Sequence, residues 1–160
     1  MKIFFLYEDG KTLTPFTFEI ENQDDANKVY DILTDLDQVG CSVEWAKIDH
    51  GKNGKISSLF KTDHERRSVA VGVVTSMFER NGESITMTHN HSLLLWTDYP
   101  DNYALNNVDQ IANPSSVRTG AKNGGDIEFA RDHPKVTFIL KDQVNNKKKY
   151  YNGNGVYKIE

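Results

Sequence analysis

At 160 residues with an apolar share of 38%, the chain is long enough for one domain with its own hydrophobic core. A formal net charge of −4 excludes a bulk electrostatic attraction to nucleic acid or to an anionic membrane, and no run is apolar for long enough to span a bilayer. The single cysteine, Cys41, excludes an internal disulfide and a cysteine-built zinc cluster, so any metal would have to be held by His, Asp or Glu.

The chain starts apolar, but Glu8-Asp9-Gly10 ends the run too soon for a signal peptide, and residues 2–7 read as a strand. With a turn at Asp9-Gly10 and a second strand over 12–20, the region 1–21 reads as an N-terminal hairpin. Asn22 has the chemistry of a helix N-cap, and Asp24 and Asp25 then face the positive end of the helix dipole. Ala26, Val29, Tyr30, Leu33 and Leu36 keep helical spacing, with Gly40 as the stop. Residues 41–48 read as a strand, 49–54 as a turn and 55–62 as the next strand. Between 67 and 80 the period changes again, with Ala70, Val73, Val74, Met77 and Phe78 on one helical face and Asn81-Gly82 as the stop.

Ser84-Ile85-Thr86-Met87-Thr88 alternates apolar and polar residues and is rich in β-branched ones, so it reads as a strand leading into His89-Asn90-His91. Strand residues i and i+2 share a face, which sets the two imidazoles side by side about 7 Å apart along the chain. Two neutral imidazoles on one rigid face are half of a transition-metal site. The stretch 92–125 is rich in turn chemistry, and so long an irregular segment in a compact domain is usually functional or mobile. A short helix over 126–131 and closing strands over 135–140 and 149–159 complete the chain. Lys147-Lys148-Lys149 reads as a solvated hairpin edge. The expected fold is α/β: a mixed, mostly antiparallel sheet flanked by two main helices, in a single domain over 1–160.

Three stretches follow one another in a telling order: Val43-Glu44-Trp45, His89-Asn90-His91, and Gly124-Gly125-Asp126-Ile127-Glu128-Phe129-Ala130. The order resembles the JAB1/MPN family of zinc metallopeptidases, whose pattern is a Glu, then His-Ser/Thr-His-Pro, then Ser-x-x-Asp. It is most similar to the JAB-like toxin domains at the C-terminal ends of bacterial polymorphic toxins, over roughly residues 26–157. The resemblance implies that His89, His91 and Asp126 ligate Zn²⁺ and that Glu44 is the general base acting on water at the metal. It implies hydrolysis of peptide or isopeptide bonds, a protein or peptide substrate, and a cognate immunity protein. Ser92 replaces the family proline, and Asn123 replaces the serine that stabilises the oxyanion; an Asn amide can donate the same kind of hydrogen bond. The spacing from His91 to Asp126 is long for the family, and Asp98 and Asp101 lie nearer the usual spacing, so Asp101 is the reserve ligand.

Other readings stand beside these. Glu44 could be a solvent-facing carboxylate paired with Lys47, and Glu79 and Glu83 are competing bases. Asp126 could cap a helix, a geometry that competes with ligation. His50 in a turn and His133 before Pro134 read as exposed, and His64-Glu65 as a capping pair. Trp96 reads as a core contact or a groove residue. The three residues of a His-Asn-His nuclease are far apart on a ββα hairpin, unlike this contiguous run, and the acidic balance agrees with its exclusion. The expected function is a zinc-dependent peptidase or isopeptidase acting as a bacterial toxin or effector domain; the alternative is an inactive JAB1/MPN-like protein-binding module. The expected place of action is the cytoplasm of a target cell, or outside the producing cell as part of a secreted toxin.

Overall fold

A computed structural model describes residues 2–7, 13–35, 44–63, 69–91, 109, 111–116 and 125–160, with side chains from residue 17 onward. The chain runs β1 (Lys2–Tyr7), β2 (Leu13–Ile20), α1 (Gln23–Thr34), β3 (Ala46–Lys52), β4 (Lys55–Thr62), α2 (Gly72–Arg80) and β5 (Ser84–Asn90). It continues through α3 (Gly125–Asp132), β6 (Thr137–Asp142), β7 (Lys147–Asn152) and β8 (Gly155–Ile159). The strands form one eight-stranded sheet in the order β1-β2-β4-β3-β5-β6-β7-β8. Neighbours pair antiparallel except β5 and β6, which run parallel. This is the mixed, mostly antiparallel α/β architecture expected from the sequence. A parallel pair needs a crossover, and the chain between β5 and β6, with α3 in it, supplies one.

Strand alternation divides the core between the two faces. On one face α1 lays Ala26 and Tyr30 against Phe18, Ile20, Trp45 and Phe60, with the Phe18 and Phe60 rings stacked at 4.7 Å. On the other, α2 and α3 bring Phe78 and Ala130 onto Ile48, Leu59, Ile85, Met87, Phe138 and Leu140. Asn22 caps α1 as expected, its Oδ1 accepting the Asp25 N–H at 3.0 Å.

Several boundaries differ from the sequence reading. The described helix α1 ends at Thr34 with Asp35 as an extended C-cap, while Leu36 and Gly40 lie outside the described residues. Asp49, His50 and Gly51 belong to β3, and the turn is confined to Asn53-Gly54, both with positive φ (57° and 78°) as a tight hairpin requires. Gly51 is needed for close approach, since a Cβ there would lie 1.8 Å from Lys55 O. Helix α2 starts at Gly72, with Val74, Thr75 and Phe78 turned inward, whereas Val73 and Met77 are exposed and Ala70 precedes the helix. The stretch 149–159 is not one strand; it is divided by the Gly153-Asn154 turn between β7 and β8. β7 therefore sits inside the sheet rather than at its edge, and Lys149 points inward while Lys147 and Lys148 stay exposed. Among the described residues no helix is long and apolar enough to cross a membrane.

Candidate metal centre

The side chains of Ile85, Met87 and His89 on β5, and of His91 just after it, share the face of the sheet that carries α2 and α3. Ile85 and Met87 belong to its core, and the histidines continue that stripe, both buried, at the carboxyl end of the strand. That end also adjoins the parallel step, where the crossover leaves the sheet. His89 Nε2 and His91 Nε2 lie 3.2 Å apart, and Asp126 Oδ2 lies 3.2 Å from the first and 3.1 Å from the second. Among the described residues these three form the group of His, Cys, Asp or Glu side chains able to hold one cation.

Asp126 comes from the first turn of α3, and capping and ligation do not compete there because another residue does the capping. Ser115 Oγ accepts the Asp126 N–H at 3.0 Å, and Ser115 O accepts the Ile127 N–H at 3.0 Å, satisfying two first-turn donors. The Ser115 N–H in turn donates to Asp126 Oδ2 at 2.8 Å, which aims the carboxylate at the imidazoles. Burial opposes its charge, but the charge and hydrogen bonds of His89 and His91 outweigh it and hold the carboxyl well below its usual range. Asp98, Asp101, Asn123 and Ser92 lie outside the described residues, as do Cys41, His64, Glu65 and Trp96.

Glu44 stands just before β3. The register pairs Ala46 with His89, and continuing it by two residues sets Glu44 opposite His91 on the same face. Hydrogen bonds from both sides fix this dipeptide: Thr62 Oγ1 donates to Glu44 O at 2.8 Å, and the Trp45 N–H donates to Asn90 Oδ1 at 2.8 Å. Asn90, between the histidines but on the opposite face, is thus the clasp that holds the carboxylate beside them. Glu44 is only 6% exposed, so it is not a solvent-facing residue, and Lys47 pairs with Asp49 instead at 2.6 Å. Burial pushes the Glu44 carboxyl up to about 7; His91 and His89 pull it down, and Asp126 and Asp63 add to the rise.

The competing residues are engaged elsewhere. His50 is a β3 residue with Nδ1 2.8 Å from Glu83 and Nε2 3.1 Å from Glu19, its ring stacked on Phe78 at 3.7 Å, so it is not an exposed turn residue. For Glu83, burial raises the carboxyl, but bonds to His50 and Asn81 outweigh it and leave the group below its ordinary value. His133 is half-buried against Phe129 and bonds Glu79, the other competing base. Besides Ser115 and Asn90, sequence reasoning missed Tyr151, whose buried hydroxyl lies 3.4 Å from His89 Nδ1. If that nitrogen carries the proton, it donates to Tyr151 Oη and leaves the Nε2 lone pair free for a metal. Burial, then the charges of Asp126 and Glu44, push the phenol well above its usual value, so it stays neutral.

The donor set fits a metal such as zinc by geometry. Bonds of about 2.05 Å in a tetrahedral site put neighbouring ligand atoms about 3.3 Å apart, and the three observed separations are 3.1 to 3.2 Å. Three protein ligands leave a fourth position for water or substrate. The family model for JAB-like toxin 1 matches residues 18–131, a span that takes in Glu44, both histidines and Asp126. No curated protein and no solved structure matches the chain. The match covers more than half of the sequence and contains the whole cluster together with the sheet strands that build it: this chain belongs to the JAB-like toxin 1 family, within the JAB1/MPN superfamily.

Proposed function

We propose that the chain is a zinc-dependent hydrolase of peptide or isopeptide bonds, the effector module of a toxin system, with His89, His91 and Asp126 as ligands and Glu44 as general base. The observation that carries this reading is the triangle of two imidazole nitrogens and one carboxylate oxygen at tetrahedral spacing, beside a buried carboxyl poised at about 7. Zinc held there supplies Lewis acidity, lowering the pKa of water to near 7 and polarising the scissile carbonyl. Glu44 takes a proton from the attacking water and delivers it to the leaving amine, a task suited to a group whose pKa lies near the working pH. Asn123 donates its amide to the oxyanion in place of the family serine. The membership in a toxin family supports a protein target inside another cell and an immunity protein that blocks the site in the producer.

Zinc analysis combined with chelator-sensitive cleavage of peptide and isopeptide substrates tests the proposal. Glu44→Gln keeps the metal and abolishes cleavage; His91→Ala weakens both. A protein that takes up no zinc at neutral pH favours the inactive protein-binding module instead.

A further inference from the structure

Asp126 is aimed by Ser115, and Ser115 is carried on a short segment that a distant lysine grips. Lys149 on β7 is buried, and its Nζ donates to Ala112 O at 2.7 Å and to Asn113 Oδ1 at 3.1 Å. The same ammonium lies 3.1 Å from Asp142 Oδ2, which is wholly buried. Asp142 is itself locked by the turn after β6, accepting from the N–H groups of Val144 and Asn145 at 3.0 Å each and from Asn145 Nδ2 at 2.8 Å. The ammonium is therefore fixed to the sheet, and its remaining donors hold the crossover chain. Between the gripped residues and Ser115 stands Pro114, which fixes its own φ and restricts Asn113 to extended conformations. A stiff link of this kind transmits position: where Ala112 and Asn113 are held, Ser115 is held.

We propose that Lys149, anchored by Asp142, is a positioning residue for the metal centre, fixing segment 111–116 so that Ser115 presents Asp126 Oδ2 to the two imidazoles. This rests on the metal reading of the site and adds to it the device that makes the third ligand available. Lys149 touches neither metal nor substrate. It acts through one backbone acceptor, Ala112 O, and one side-chain acceptor, Asn113 Oδ1, as outer groups do when they orient ligating carboxylates.

Cobalt(II) titration of the metal-free protein against a competing chelator tests this, because affinity and the visible absorption of bound cobalt report ligand geometry independently of turnover. Lys149→Met alone leaves Asp142 as an unpaired buried charge and can fail to fold. The decisive variant is Lys149→Met with Asp142→Asn, which removes both charges, together with Asn113→Ala, which removes one acceptor from a half-buried loop residue. We expect the double variant to melt as a cooperative fold, to bind cobalt about 10- to 100-fold more weakly and to show an altered absorption band. Asn113→Ala shifts both readouts in the same direction by a smaller factor. Wild-type affinity and an unchanged band in the folded double variant overturn the proposal, as do wild-type values in Asn113→Ala if the double variant does not fold. A wild-type protein that takes up no cobalt or zinc refutes the metal reading, a result distinct from either of these.

Discussion

Replacing Glu44 with Gln should favour the metal-free protein increasingly as pH climbs from about 4.5 to about 7. Burial raises the Glu44 carboxyl from an ordinary 4.5 to about 7. A group whose folded pKa is raised binds more protons in the folded state, so stability falls as pH climbs from the unfolded value towards the folded one. Below about 4.5 both states are protonated and the charge costs nothing; above about 7 the folded protein carries the full cost. At about 1.36 kcal/mol for each pH unit between the two values, that cost is about 3 kcal/mol. For a chain of this size it corresponds to about 6–12 °C in melting temperature. The assay compares thermal melts of wild type and Glu44→Gln, with chelator present, at about pH 8 and about pH 5. Comparing the two pH values cancels any constant effect of burying an amide. We expect the variant's advantage at the higher pH to exceed that at the lower by most of 3 kcal/mol, and zinc to shrink it, since a dication welcomes the carboxylate. An advantage that is absent, or equal at both pH values, would refute the reasoning that the site stores a charge it needs for chemistry.

Three further outcomes follow from the same contacts. Asn90→Ala removes the side-chain oxygen that accepts the Trp45 N–H and should cost about 1–3 kcal/mol in chemical denaturation; because Asn90 points away from the imidazoles, zinc binding should survive while turnover falls, and unchanged turnover would count against the clasp. Tyr151→Phe removes the partner of His89 Nδ1 and should weaken zinc up to about tenfold in a chelator competition, a modest effect because the contact is 3.4 Å long. For Asp142, burial raises the carboxyl, but bonds from Asn145 and the Lys149 ammonium outweigh it and depress the folded pKa. Its stabilisation is therefore present above the unfolded value of about 3.9 and lost as pH falls through the depressed folded value. Asp142→Asn should lower stability at neutral pH and flatten the acid limb of a stability–pH profile; an unchanged limb would show the pairing to be inert.

What could be read from the sequence was whatever has a period or a local signature. The alternation through Ile85 and Met87 put His89 and His91 on one inward face, and Asn22 and the spacing of Ala26 and Tyr30 located α1. The order of Glu44, the histidines and Asp126 pointed to residues that the structure brings to one end of the sheet. The partners that hold them were hidden because each acts across a large sequence separation. Ser115 caps a helix that begins ten residues later, Asn90 reaches back to Trp45, and Lys149 grips a segment from the far side of the parallel step. His50 looked like a turn residue because Asp49 and Gly51 flank it, yet two carboxylates and the Phe78 ring make it a strand residue. Tertiary packing likewise overrode the apparent apolar face of α2, leaving Val73 and Met77 outward while Thr75 turned in, its hydroxyl bonded to Val71 O at 2.7 Å.

Two imidazoles and one carboxylate are proposed to share a single cation. Anomalous diffraction at the zinc edge, from crystals grown with zinc, addresses it directly. One strong peak is expected within about 2.0–2.2 Å of His89 Nε2, His91 Nε2 and Asp126 Oδ2, absent in crystals of His91→Ala. A peak that omits Asp126, or zinc bound equally well without His91, would contradict it.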